Sequence, residues 1–267
     1  MNKKAIVDKI FTINNLSFHC TFVGNPHNPV LVFLHGHPMP HKPADTFDFT
    51  NVLLEFAKHY YVIAPEHIGT MRSDPSPKPI TIDERTTILH KLLIKLGIKN
   101  ATISAQSFGG GIASSFALKY PSKVKRLILI DSSTTYQLRK HIWLFRLLYE
   151  IYNIAISLPF PITLKRNLIY FSTFRNRLSL VEIKNFLNQI HPKAYITTDI
   201  DYSKINAHTL LVWGNRDQLT PLKYAHRLNT EIKNSKLILV DGGHTILYQK
   251  PEYVIDKIIS ALVNDDL

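Results

Sequence analysis

Short apolar runs alternate with amphipathic stretches along most of the chain. Pro29-Val30-Leu31-Val32-Phe33-Leu34 and Tyr60-Tyr61-Val62-Ile63-Ala64-Pro65 are continuous apolar runs of strand length, rich in β-branched and aromatic residues. Such runs predict strands buried on both faces. Further runs of this kind lead into Ser107 from Ala101, cover Val124 to Asp131, and recur at 209–213 and 236–240. Between them, Phe47, Val52, Leu53, Phe56 and Ala57 fall near helical spacing over 45–59, and Ile88, Leu92, Leu93 and Leu96 do so over 81–97. Thr81 or Asp83 can cap the second of these helices. Residues 220–232 and 251–263 predict two more, the last opened by Pro251. Residues 4–13 and 16–24, joined at Asn14-Asn15, predict a hairpin at the start. Strand–helix alternation of this kind implies an α/β fold, a parallel sheet with helices on both faces.

The alternation stops at about Thr134 and resumes at Thr209. Residues 136–156, 163–177 and 179–190 predict helices, separated at Pro159 and Pro161. From 135 to 204 there are 10 Lys+Arg against 4 Asp+Glu, and 12 of the chain's 28 aromatic residues. That composition marks an inserted helical cap over 135–204, carried by a core made of 1–134 and 205–267. Arg146 and Glu150 stand one helical turn apart in it and predict a surface pair.

Composition narrows the function classes. The 267 residues are 45% hydrophobic and 19% charged, a globular balance. Cys20 is the single cysteine, so no intrachain disulfide forms and no cysteine-based metal site exists. The thirteen histidines show no zinc-type spacing, and Gly109-Gly110-Gly111 lacks a dinucleotide fingerprint, so no metal and no cofactor are expected. The N-terminal residues break into charge before an apolar leader core forms, and no uncharged apolar run approaches the roughly 20 residues of a membrane span. A cytoplasmic protein is the expectation. The net charge of +12 raises nucleic-acid binding, but the basic residues are scattered and no recognition motif is present. Attraction to anionic substrates, or of the basic, aromatic helix at 136–156 to an anionic membrane surface, is the more modest reading.

Candidate chemistry centres on Ala105-Gln106-Ser107-Phe108-Gly109. A serine at the tip of a sharp strand-to-helix turn adopts strained backbone angles that only small residues two positions either side permit. The helix that follows aims its positive dipole end at charge forming beside Ser107. A serine hydroxyl needs a base, and the base needs a carboxylate to fix its tautomer. Asp217 follows the strand at 209–213 and His244 follows that at 236–240, both at strand C-termini, where open α/β sheets place their ligands. Asp131 also ends a strand and ranks behind Asp217 as the acid. Glu66 and His67 on a strand-exit loop read as structural.

Five motifs in order then carry a resemblance: His35-Gly36-x-Pro38, Ala64-Pro65-Glu66…Gly69…Ser73, the turn at Ser107, Gly214-x-x-Asp217-x-x-x-Pro221, and Gly243-His244. Over nearly its whole length the chain resembles the α/β-hydrolase superfamily, whose nucleophile, acid and base follow the order Ser, Asp, His. It departs from the family pattern at Met71 and Gln249, both outside that trio. The resemblance implies a mostly parallel eight-stranded sheet and an oxyanion hole from the backbone N–H groups of His37 and Phe108. His35 would brace that loop at the pocket's edge. A cap lining of Trp143, Phe145, Tyr149 and Tyr170 would suit a small hydrophobic ester or lactone, cleaved through an acyl-enzyme. Two alternatives stay open: hydrolysis of carbon–carbon bonds in vinylogous diketones with the same trio, and a non-catalytic protein binding a small apolar ligand.

Overall fold

The structure is a computed structural model that describes residues 6–36, 49–76, 78–134 and 200–263, with isolated positions between 143 and 194. Eight strands form one sheet: β1 Val7–Ile13, β2 Leu16–Val23, β3 Val30–Leu34, β4 Tyr61–Pro65, β5 Ala101–Gln106, β6 Val124–Ile130, β7 Thr209–Gly214 and β8 Ser235–Val240. Their spatial order is β1-β2-β4-β3-β5-β6-β7-β8. Only the β1–β2 hairpin and its junction with β4 are antiparallel; every other neighbour pair is parallel.

The central strands β5 and β7 are buried at every position; β7 accordingly reads as an apolar run, while β5 alternates apolar residues with Thr102, Ser104 and Gln106, which are buried as well. Helices α2 Ile82–Lys95, α3 Phe108–Lys119 and α4 Lys223–Glu231 cover one face, where Leu89, Leu93, Phe116, Ala225 and Leu228 share a core with Leu129 and Trp213. Helices α1 Thr50–Phe56, α5 Ile246–Gln249 and α6 Pro251–Val263 cover the other, through Val52, Phe56, Leu247, Val254 and Ile258. Thr81, and not Asp83, caps α2: its hydroxyl accepts the Glu84 N–H at 3.1 Å while the Glu84 carboxylate accepts the Thr81 N–H at 2.8 Å. This reciprocal box satisfies two helix-end donors at once. The α4 helix begins at Lys223 instead of 220, because Thr220 is held in a turn with Asp217. No described helix is long and apolar enough to cross a membrane.

Strand order runs outward from β3 in two directions. The chain steps from β3 to β4 on one side, then returns past β3 to β5 and continues to β8 on the other. The helices next described after β3 and β5, α1 and α3, lie on opposite faces, so the C-terminal ends of these two strands mark the switch point, where open α/β sheets place their ligands. Leu34 pairs with Ala105 there, and the next residues are His35-Gly36 and Gln106-Ser107. Between β6 and β7, Ala194, Ile200 and Tyr202 pack into the same core cluster as α3, and Asn188 donates from its side chain to the Ser76 carbonyl at 2.8 Å.

Candidate active site

Ser107 sits between β5 and α3 with φ 49° and ψ −120°, a backbone state that costs a non-glycine residue on the order of 1–3 kcal/mol. Its neighbours hold it there. The Ser107 N–H donates to the Ile130 carbonyl at 3.0 Å, and the Ser107 carbonyl accepts from Gly110 at 2.8 Å and Ser133 at 2.9 Å. Gly109 meets the turn's demand for a small residue: a Cβ on it would lie 2.6 Å from the His35 carbonyl oxygen. The tip of the turn thus leans on the end of β3.

The loops after β7 and β8 reach this point as a bonded pair. Asn215 N–H donates to the Val240 carbonyl and Arg216 N–H to Gly242, each at 2.9 Å, while the Asn215 side chain accepts from Gly242 N–H at 3.2 Å. Gly214 permits the approach, since a Cβ there would sit 2.6 Å from the Gly242 carbonyl oxygen. Buried Trp213 fixes the far side of the first loop by donating its indole N–H to Thr220 O at 2.7 Å. Asp217 and His244 face each other as a result.

His244 Nε2 lies 2.9 Å from Ser107 Oγ and His244 Nδ1 lies 2.8 Å from Asp217 Oδ2. The Asp217 carboxylate accepts three more donors: the N–H groups of Leu219 and Thr220, both at 2.8 Å to Oδ1, and the Thr220 hydroxyl at 2.5 Å to Oδ2. Burial alone would raise this carboxyl, but the hydrogen bonds from His244 and Thr220 outweigh it and hold it below its ordinary value. An ionised Asp217 only accepts, so Nδ1 carries the imidazole proton and Nε2 presents a lone pair to the serine hydroxyl. The arrangement can take a proton from Ser107.

Asp131 directly follows β6 with φ 44° and is fully buried. Its Oδ1 accepts the Gly214 N–H at 2.8 Å, while Oδ2 has no hydrogen-bond partner among the described residues. Burial pushes this carboxyl up to about 8, and the charge of Asp217 adds to the push. A carboxyl kept neutral near pH 7 cannot orient an imidazole by charge. Of the two strand-end acids, only Asp217 has the partners for that task.

Residues 29–156 match the family model for the alpha/beta hydrolase fold, and residues 95–253 match that for the BAAT / acyl-CoA thioester hydrolase C-terminal domain. The chain belongs to the α/β-hydrolase superfamily. It is 25% identical over 273 residues to the uncharacterized hydrolase YugF of Bacillus subtilis, covering 93% of this chain and 95% of that one. It is also 25% identical over 274 residues to the human monoacylglycerol lipase ABHD6, covering 92% of this chain and 79% of the lipase. Among solved structures, the α/β-hydrolase MGS-M2 from a Medee basin deep-sea metagenome library superposes with a TM-score of 0.75 at 21% identity, over 97% and 98% of the two chains.

Within this hydrolase fold, the remaining expected site residues fall out unevenly. Phe108 opens α3 directly after Ser107, and its ring is held between His67, 5.8 Å away edge-on, and the Arg85 guanidinium at 5.6 Å. Its N–H belongs to the first helical turn, whose donors point out along the axis. His35 is buried: Nδ1 bonds the Gly36 carbonyl at 2.7 Å and Nε2 accepts the His67 N–H at 3.0 Å. His67 Nε2 returns a bond to the His35 carbonyl at 2.9 Å. Both ring nitrogens of His35 thus face backbone. Glu66 likewise bonds Arg72, through the backbone N–H at 2.8 Å and Nε at 2.7 Å. Trp143 stands 63% exposed, on an outward helical stripe with Leu147, Ile151 and Ile154. His37, Phe145, Tyr149 and Tyr170 lie outside the described residues.

Three participants escaped the sequence reading. Thr220 carried a signal, an Asp three positions before a Thr in a strand-exit loop, which is the spacing of a side-chain turn. Gln106 and Tyr248 carried none, because their contact joins positions 142 apart.

Proposed function

We propose that this protein is a serine hydrolase that cleaves a small to medium hydrophobic ester or lactone through an acyl-enzyme. The observation that carries this reading is the unbroken series Ser107 Oγ, His244 Nε2 and Nδ1, Asp217 Oδ2, with both links below 3.0 Å, at the tip of a strained turn. Ser107 attacks the acyl carbon as His244 takes its proton. The carbonyl oxygen gathers negative charge at the start of α3, beside the N–H of Phe108 and, by the family resemblance, of His37. His244 then gives the proton to the departing alkoxide as the carbon–oxygen bond breaks. A water, deprotonated by the same imidazole, releases the acid and restores Ser107.

Asp217 keeps Nε2 unprotonated in the resting state and stabilises the imidazolium that forms during attack. The family description that includes acyl-CoA thioester hydrolases, and the lipase name of the human relative, support acyl transfer over other chemistry. Serine at position 107 supports it too, since an ester intermediate on a hydroxyl needs the base that His244 supplies.

The test is labelling with a fluorophosphonate probe, with Ser107→Ala as control and p-nitrophenyl esters from acetate to decanoate in parallel. Labelling and turnover by wild type, both absent from the variant, are expected. Turnover that survives Ser107→Ala, or wild type that neither labels nor turns over, would overturn the proposal.

A further inference from the structure

Gln106, the residue before Ser107, is buried at the end of β5, and its side chain touches the two loops that flank the serine. Its Nε2 donates to the His244 carbonyl at 3.2 Å, and its Oε1 accepts the Tyr248 hydroxyl at 2.9 Å. Tyr248 lies on α5, one turn beyond His244, and its phenol oxygen also receives the backbone of Gly36. Gly36 in turn lies hard against Gln106: a Cβ on Gly36 would overlap Oε1 and stand 3.2 Å from Ser107 Cβ. One side-chain pair therefore joins the loop after β3, the turn at Ser107 and the loop that carries His244.

We infer that Gln106 and Tyr248 act as one clamp that positions the His244 imidazole against Ser107, each working through the other. This rests on the serine-hydrolase reading above. The direction of the bonds makes the pair a unit. A tyrosine hydroxyl that donates to Oε1 fixes which end of the amide is which, so that Nε2 must face the His244 carbonyl. Without the hydroxyl, the amide can rotate and the carbonyl loses its donor. Without the amide, the hydroxyl has nothing to orient. Ser107 Oγ and His244 Nε2 sit at 2.9 Å, and a displacement of about 1 Å in such a geometry is worth up to ~10²-fold in rate. Neither residue touches the acyl group or the transferred proton, so both are positioning residues.

The experiment is a double-mutant cycle on the full chain with Gln106→Leu, Tyr248→Phe and the combination. It reads kcat and KM for a p-nitrophenyl ester, the fluorophosphonate labelling rate, and the low-field Nδ1–H proton resonance of His244. Tyr248→Phe keeps the ring that packs 5.5 Å from Phe49, so it preserves the fold even where Gln106→Leu does not. Each single variant is expected to lose about 10-fold to 10²-fold in kcat and labelling rate with KM within about twofold. The double variant is expected to fall no lower than the worse single one. The His244 resonance is expected to exchange faster with water in both.

Additive losses, a change confined to KM, or full activity in Tyr248→Phe would overturn the clamp. So would an unchanged resonance. The resonance needs no turnover, which separates the two readings: a wild type that fails to label sinks the serine-hydrolase assignment, while the resonance still tests the clamp.

Discussion

Gly109 and Gly111 lie two residues apart in α3, and the structure assigns opposite signs to their replacement by alanine. In an open helix the change gains up to ~1 kcal/mol at either site, because glycine is that much poorer than alanine as a helix former. At Gly111 the new Cβ comes 3.3 Å from Ile82 Cδ1, the end of a side chain, and 3.9 Å from the Ser133 carbonyl oxygen, an ordinary contact. Gly111→Ala is therefore expected to stabilise the protein by about 0.5–1 kcal/mol. At Gly109 the Cβ runs into the backbone carbonyls of Leu34 and His35, and those cannot move without displacing the end of β3. Overpacking of this sort costs typically 1–3 kcal/mol, which exceeds the helical gain. Gly109→Ala is thus expected to be less stable than wild type and about 1–3 kcal/mol less stable than Gly111→Ala. Urea unfolding followed through the fluorescence of the buried Trp213 measures both. Because the displaced atoms root the loop beside Ser107, Gly109→Ala is also expected to lose ester turnover, while Gly111→Ala keeps it. Equal stabilities for the two variants, or a Gly109→Ala as active as wild type, would refute the steric reasoning.

Asp131 and Asp217 offer two pH experiments of opposite sign. Asp131 holds its proton up to about 8 in the fold against 3.8 ordinarily, so the folded state binds more protons than the unfolded between those values and stability falls as pH rises through them. Asp131→Asn mimics the neutral acid, keeps an acceptor for Gly214 and tolerates the positive φ; it is expected to match wild type near pH 4 and exceed it at pH 9. At ~1.4 kcal/mol per tenfold difference in proton affinity, the gap is large enough for urea midpoints to resolve, and a gap independent of pH would contradict the assignment. Asp217 is held low, so its contribution is present above the ordinary carboxylate range and is lost as pH falls below it. Thr220→Val removes the 2.5 Å bond to Oδ2. It is expected to move acid unfolding to higher pH and to cut turnover about tenfold or more, the worth of one hydrogen bond to a charged group; unchanged acid unfolding would show that Thr220 does not support the carboxylate.

The sheet was legible because its central strands are buried on both faces, which favours continuous apolar runs over alternation. Val30–Leu34 and Thr209–Trp213 announce themselves for that reason. Ends were less legible. Nothing in the local pattern separates Thr81 from Asp83 as a cap, and the turn that delays α4 to Lys223 is made by a side chain that belongs to Asp217's surroundings. The four residues of α5 are too few to show a period. For the site, Ser107, Asp217 and His244 were marked by small residues and strand ends close by in sequence, which is where turn chemistry leaves its trace. Gln106 and Tyr248 were not, since a glutamine after an apolar strand and a tyrosine in a short helix look the same whether or not they meet. Trp143 shows the converse difficulty: an aromatic residue at helical spacing does not say which side of its helix faces water.

The bonded loops after β7 and β8 have a consequence for how such a protein diversifies. Among the described residues, the hydrogen bonds that hold Asp217 and His244 in place come from the sheet, from those two loops, from the turn at Ser107 and, through Gln106, from Tyr248 on α5. The few described positions between residues 143 and 194 contribute none of them. Exchanging the segment between β6 and β7 for one of another length is therefore expected to leave these fastenings intact. A transplant of residues 135–199 between relatives would test whether that segment and the fastenings of the proton relay are separable within one chain.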